Sequence, residues 1–292
     1  MGSKDTKSSV TSESSWLTQK CIKIVEEKRI KWFSTKERIT ELVSNVNISN
    51  VREIGAEISK EDLFEGRGVF CQEIMKSQMN SPRLTNVYAA LVAIINSNFP
   101  DLGLLLVKRV LLKLKDEYNY DGRSGNMKRL RVLSKFLAHF VNQLVVYPLL
   151  ANDVCLFLMG NPNSDHVEVA VKFCIECGST FKEFLPIKFR TVLQEFHRVC
   201  QEVEIERSVR FLILMLFKIQ RRGFRDYPGM IDELNLVKIR DQQIHQVSML
   251  HVLDPESSAD DFEVDPHDFC GIDDSSDDDD DEDEDEVSSQ KH

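Results

Sequence analysis

Along most of this chain apolar residues recur at steps of three and four, the spacing that lines them along one face of an α-helix. One run reads Leu84, Val87, Tyr88, Leu91, Ile95, and another Leu104, Val107, Val110, Leu111, Leu114. A third is Leu130, Leu133, Leu137, Phe140, Val141, Leu144. A fourth is Phe189, Val192, Leu193, Phe196, Val199, Cys200, Val203, and a fifth Ile205, Val209, Leu212, Leu216, Ile219. Each stripe has to bury against a neighbouring helix. The fifth run is apolar nearly all round, which predicts a central position.

Start and stop signals divide the runs. Ser34-Thr35-Lys36-Glu37 fits a capping box and predicts a helix start. Ser81-Pro82 pairs an N-cap residue with proline at the first helical position, where no donor is missed. Phe99-Pro100-Asp101 and Asn161-Pro162 predict breaks, and Gly178, Pro186 and Gly223 predict corners. These signals give about ten helices between residues 17 and 235, or about 44 residues per pair, inside the HEAT-type period of about 40–47. The prediction is all-α. Periodicity alone leaves open a HEAT-like α-α superhelix of about five helix pairs or an irregular single-core helical bundle. Stacked pairs expose a long ridged surface suited to gripping another macromolecule. That use requires an outer edge which the chain's own segments leave open.

Charge changes the picture at the C-terminus. The net charge of −11 is dominated by residues 254–286, which hold 19 Asp and Glu and no Lys or Arg. Through Leu253 the chain carries 29 acidic and 36 basic residues, a net of +7. The tail ends in Asp273-Asp-Ser-Ser-Asp-Asp-Asp-Asp-Asp-Glu-Asp-Glu-Asp-Glu286, too like-charged and too poor in apolar surface to fold alone. The expected organisation is a polar arm over residues 1–16, a helical domain over 17–240, a linker-like extension over 241–272 and an acidic tail over 273–292. The N-terminal arm lacks the apolar core of a secretory signal. The longest apolar run, Val87–Ile95, is far short of the about 20 residues a membrane span needs. Seven scattered cysteines suggest thiols in a reducing compartment.

Little in the sequence points to catalysis. Cys174-Ile-Glu-Cys177 is a CxxC without a second pair or a strand-helix setting, and reads as buried core thiols. Metalloprotease, P-loop, nucleophile-elbow and dinucleotide motifs do not occur. His245 and His251 lie in a polar stretch without a nearby cysteine pair, so no metal site is expected there. The expectation is a protein that is not an enzyme and needs no cofactor. Lys128, Arg131 and Lys135 fall at i, i+3, i+7 opposite the apolar stripe of their helix and form a candidate RNA contact. Lys108, Arg109, Lys113 and Lys115 make a second basic face, and Arg221, Arg222 and Arg225 a third; the competing reading of each is a solvated face. The acidic tail is a candidate to fold back on these faces. Ser275 and Ser276, just before the aspartate run, are candidate sites for an acidophilic kinase.

Several strings carry a resemblance when taken together. They are Val46-Asn47-Ile48-Ser49-Asn50, Glu65-Gly66-Arg67-Gly68, the run from Asn86 through Tyr88-Ala-Ala-Leu-Val-Ala-Ile-Ile-Asn-Ser97 to Pro100, Val167-Glu-Val-Ala170, Glu176-Cys-Gly178 and Gly223-Phe-Arg-Asp226. In this order and spacing the chain, from roughly Lys31 to Leu250, resembles the nucampholin family of pre-mRNA splicing factors. Asp254-Pro255 through Asp265-Pro266 resembles the linker that follows in that family. The resemblance implies the middle domain of initiation factor 4G, a stack of five HEAT-like helix pairs. It also implies a partner, the DEAD-box helicase of the exon junction complex, an initiation factor 4A homologue. The scaffold would hold that helicase's lobes apart and deliver it inactive to spliceosome proteins in the nucleus, acting as a monomer away from membranes. Carried over residue by residue, the helicase contacts would be Ser44, Asn45, Asn47, Ser49 and Asn50. Local turn and cap chemistry is the competing reading for Asn47 and Asn50. Arg67 and Arg225 read as ties between a helix end and a loop. An Asn-Lys pair that the family carries before Val46 is here Ser44-Asn45. Where the family continues into a second helical domain this chain carries the acidic tail, so the resemblance implies a shortened or divergent member. The runner-up is a cytoplasmic translation or RNA-decay adaptor using the same domain.

Overall fold

A computed structural model describes residues 7–119, 125–250 and 253–262. Ten α-helices lie among them: α1 (Lys7–Ser44), α2 (Val51–Ile58), α3 (Arg67–Asn80), α4 (Thr85–Asn98), α5 (Pro100–Asn119), α6 (Gly125–Asn142), α7 (Leu149–Leu158), α8 (Ser164–Phe184), α9 (Pro186–Glu202) and α10 (Arg207–Arg221). Ile30–Phe262 forms one compact unit, to which the following description applies. Within it the even-numbered helices form one layer, α2 packing on α4, α4 on α6, α6 on α8 and α8 on α10. Odd-numbered helices lie beside them, α3 on α5 and α7 on α9. Consecutive helices pair, and the pairs stack. This is the HEAT-like α-α superhelix, and the irregular bundle is set aside. A single hydrophobic core runs the length of the stack, from Trp32 and Ile39 through Leu91, Phe140 and Phe181 to Leu216.

Most of the proline punctuation acts as expected. Pro100 opens α5 directly after α4, Pro186 opens α9 after α8, and Asn161-Pro162 separates α7 from α8. Ser81-Pro82 departs from the expectation: Pro82 opens a short 3-10 turn, Pro82–Leu84, before α4 begins, and the Ser81 side chain makes no cap bond. Asn163 provides the one side-chain cap on α8, its amide oxygen accepting from His166 N at 2.9 Å.

Four further expectations are corrected. The capping box does not start a helix: Ser34–Glu37 lie inside α1, which reaches back to Lys7 into the stretch that reads as an arm. Trp32, Thr35, Ile39 and Leu42 form a continuous buried stripe through the supposed start, and a formed helix gains one hydrogen bond for each residue it adds. Gly178 is not a corner but an interior residue of α8. A Cβ there would overlap the ring of Phe224, so glycine serves close packing. The apolar α10 is not central but ends the stack, with Phe211 67% and Leu214 60% exposed. The corner at Gly223 stands, with φ +69°.

The fourth correction concerns the extension after residue 240. It is bound to the helices, not free of them. Asn96 Nδ2 donates to Gln243 O at 2.6 Å, and Ser248 Oγ to Asp153 Oδ2 at 2.9 Å. His245 forms a parallel bridge with Val146, donating to Val145 O at 3.0 Å and accepting from Tyr147 N at 2.9 Å. Residues 253–262 lie on α3 and α5, and Phe262 reaches Trp32 of α1 with ring centroids 6.2 Å apart. Polar backbone without helical periodicity gives no sequence signal of such binding, because its partners are side chains far away in the chain. The strap covers part of the stack and leaves the α1–α2 corner open.

Candidate functional site at the first corner

The five residues singled out for helicase contact come together as one turn between α1 and α2. Its anchors are apolar: Val46 and Val51 are buried, as are Leu42 and Val43 behind them. Asn47 organises the turn. Its Oδ1 accepts from Ser49 N at 2.9 Å, Ser49 Oγ at 2.6 Å and Asn50 N at 3.2 Å. Asn50 answers, its Oδ1 accepting from Asn47 N at 2.7 Å and its Nδ2 donating to Asn45 O at 3.0 Å. Asn45 Nδ2 and Ser44 Oγ both donate to Glu41 O, at 3.0 Å and 2.8 Å, beside the backbone bond it accepts from Asn45 N at 3.2 Å. Arg38 ties the corner to α2 by ion pairs to Glu41 at 3.0 Å and Glu57 at 2.6 Å. The side chains of Asn47 and Asn50 therefore hold the turn, and neither caps α2.

That chemistry has a consequence for binding. With its polar groups joined to one another, the turn is held in one shape while Ser44, Asn45, Asn47, Ile48 and Ser49 face solvent. Ile48 sits at the tip, 46% exposed. A rigid polar ring around an exposed isoleucine presents an apolar anchor at small entropic cost, since the backbone is already ordered. Sequence pattern alone passes over Ile48. Its only signal is one apolar residue between Asn47 and Ser49, where a turn calls for polar residues.

The candidate RNA stripe is engaged elsewhere. Arg131 pairs with Glu168 of α8 at 2.6 Å and Asp165 at 3.4 Å, and Lys135 pairs with Glu176 at 3.4 Å. Lys128 is exposed. From Arg131 to Lys135 this face braces α6 to α8 over a cavity of about 370 Å³ floored by Val132, Val169 and Phe173. In the second basic face Arg109 is buried and Lys113 pairs with Glu117 at 3.6 Å. In the third, Arg222 pairs with Asp226 at 3.2 Å. Arg67 Nη1 donates to Phe64 O at 2.6 Å, tying the start of α3 to its preceding loop. Ser275, Ser276 and His251 lie outside the described residues.

The CxxC cysteines are core thiols, as are Cys71 and Cys155. Cys155 Sγ lies 3.6 Å from Cys174 Sγ, both fully buried, and Cys177 Sγ donates to Phe173 O. Burial pushes the Cys155 and Cys177 thiols well up and Cys71 to about 12, so reactive thiolate is suppressed. Among the described residues no group of three His, Cys, Asp or Glu is arranged to hold a metal ion. No described helix is long and apolar enough to cross a membrane.

The model of the MIF4G domain matches residues 37–222, from within α1 to the end of α10. The chain belongs to the MIF4G domain family. Its MIF4G domain contains the α1–α2 corner whole and ends before the strap. The Pre-mRNA-splicing factor CWC22 homologs of Mus musculus and Homo sapiens are each 34% identical to it over 240 residues. Pre-mRNA-splicing factor cwc22 of Neurospora crassa is 32% identical over 242 residues. These matches cover 82–83% of this chain but only 24–26% of the relatives, so the chain spans about a quarter of their length.

Proposed function

We propose that this chain is a non-catalytic pre-mRNA splicing scaffold whose α1–α2 corner binds a DEAD-box helicase of the exon junction complex. The observation that carries the reading is the corner itself: a preformed polar turn with Ile48 exposed at its tip, set in a MIF4G domain similar to CWC22 splicing factors. The mechanism is a shift of populations. A scaffold that binds the open helicase more tightly than the closed one lowers the share of helicase able to clamp ATP and RNA, by the ratio of the two affinities. No covalent chemistry is needed. Such a role places the chain in the nucleus among spliceosome proteins. In this reading Arg131 and Lys135 brace α6 to α8 and are not an RNA surface.

The test is direct binding of the purified chain to the exon-junction helicase and, in parallel, to its translational relatives. The exon-junction helicase is expected to bind preferentially. Ile48→Asp is expected to weaken that binding at least about tenfold, because a charge would be buried in an apolar contact, with the melting temperature unchanged. Ser44→Asn with Asn45→Lys is expected to tighten it. Retention of the translational helicase alone would move the chain to the cytoplasmic adaptor reading. An Ile48→Asp chain that binds as before would place the contact elsewhere.

A further inference from the structure

Residues 253–262 are held the way a protein holds a peptide ligand. Apart from one short 3-10 turn, Ser257–Asp260, the segment has no regular structure, and side chains of the stack grip it. The central grip is Arg109 of α5, 8% exposed. Its Nε donates to Pro255 O at 2.7 Å and its Nη2 to Glu256 O at 2.8 Å. Its Nη1 pairs with Asp260 Oδ1 at 2.5 Å and leans on Gly68 O at 3.5 Å. A guanidinium placed this way reads two backbone carbonyls and one carboxylate together, a pattern that only a bent acidic segment offers.

The rest of the groove is shaped for the same segment. At Gly68 of α3 a Cβ would overlap the carbonyl of Ala259, so the turn rests directly on the helix backbone. Ala259 is buried there. Arg67 adds an ion pair to Glu256 at 3.4 Å. Glu256 itself is left-handed, φ 46°, a conformation that a non-glycine residue keeps only while its neighbours are tied down. Phe262 closes the far end on Trp32. Beside the segment a cleft of about 460 Å³ remains, lined by Met75, Leu112 and Lys113.

We propose that the α3–α5 groove is a docking site for acidic peptide segments, occupied in this chain by its own residues 253–262 and able to exchange them for an equivalent segment of a partner protein. The chemistry of that partner follows from the grip: a proline-containing bend with free carbonyls, a small residue over Gly68, an Asp beside it and an aromatic residue two positions on. The cis segment is a weak ligand, with one short turn and a strained Glu256. Three of the four partners of Arg109 lie on the segment, so release without replacement leaves its guanidinium with Gly68 O alone among protein groups. Replacement by a segment of like charge is therefore the favourable route. The groove shares no residue with the α1–α2 corner, so the two readings fail or stand separately.

The test uses the full chain and, as probe, a synthetic peptide with the sequence of residues 253–262. Hydrogen exchange over 253–262 is followed as the peptide is added. Saturable binding is expected, with exchange of this segment rising at least about tenfold while α3 and α5 stay protected. Asp260→Asn in the chain weakens only the cis competitor, so it is expected to tighten probe binding about tenfold. Gly68→Ala fills the groove and is expected to abolish probe binding while α3 remains folded. The proposal is overturned if the Asp260→Asn chain shows no saturable binding. It is also overturned if residues 253–262 exchange only together with the core of α5, which would make them a permanent part of the fold.

Discussion

Asn47 is the residue on which the first corner turns, because one amide oxygen serves three donors. Asn47→Ala removes the acceptor of the Ser49 and Asn50 N–H groups just before α2 and should cost about 1 kcal/mol of stability, the usual net worth of a hydrogen bond. Asn47→Asp keeps the acceptor and gives up only the long 3.4 Å bond from Nδ2 to Asn45 O, so its stability should match the parent. Urea denaturation of the two variants separates them. Equal losses would mean that the Nδ2 donor holds the turn. In the sequence this residue was legible as either a turn former or a contact, and its side chain does the first while its exposed position permits the second. Arg109 was not legible. It sits among Lys108, Lys113 and Lys115 and reads as one more charge on a solvated face, yet it is the buried clamp of the strap. A basic residue's neighbours in sequence say nothing of a carbonyl about 150 positions away, and here that carbonyl decides its role.

At the scale of elements, helical periodicity is a strong guide to which segments are helices and a poor one to where each sits. The stripes of α4, α5, α6 and α9 are buried as their spacing predicts. The α10 stripe fails in an instructive way. Val209, Ile213, Leu216 and Ile219 form its buried face, while Phe211 and Leu214 point to solvent because no further α-helix follows among the described residues. A run apolar on all sides thus marks either a central helix or the uncovered end of a stack, and pattern alone cannot separate them. Gly178 makes the same point for breaks. Glycine inside a helix costs about 1 kcal/mol relative to alanine, so its presence in α8 reads as a corner until the neighbouring ring is seen. Phe224, itself left-handed at φ 56°, lies where the Cβ would be. Gly178→Ala should therefore destabilise the domain by about 1–3 kcal/mol through overpacking, although alanine is the better helix former. Thermal unfolding measures it. Adding Phe224→Leu, which shortens the obstructing ring, should restore part of the loss. If Gly178→Ala instead raised the melting temperature, the ring would have room to move and glycine's role there would be helix geometry alone.

At the scale of the molecule, the strap joins successive helix pairs of the stack through partners distant in sequence, and its middle carries a titratable group. His245 Nε2 meets Asn96 Oδ1 at 2.6 Å, and Asn96 Nδ2 donates to Gln243 O at 2.6 Å. Asn96 is nearly fully buried on α4. Because that amide's nitrogen is already a donor, its oxygen requires a proton on Nε2. Burial pushes the His245 pKa below its ordinary 6.5, with the Asp101 carboxylate and the Pro100 carbonyl pulling the other way. The sign follows from linkage. The folded state holds the imidazole neutral and the released strap does not, so release takes up a proton. The contribution of His245 is full above pH 6.5 and is lost as pH falls toward and through the lowered value. Opening of the strap's middle should therefore rise as pH drops from 7.5 to 5.5, by at most about tenfold per unit. The reporters are the amides of Tyr147 and His245, whose hydrogen bonds form the bridge to Val145–Tyr147. Their hydrogen exchange, corrected for the intrinsic effect of pH, should accelerate on acidification, while amides in the middle of α8 should not. His245→Gln keeps a donor for Asn96 and removes the titration, so its bridge should exchange at a rate nearly independent of pH over the same range. The same acceleration in the His245→Gln chain would assign the pH response to another group and leave His245 a purely structural contact.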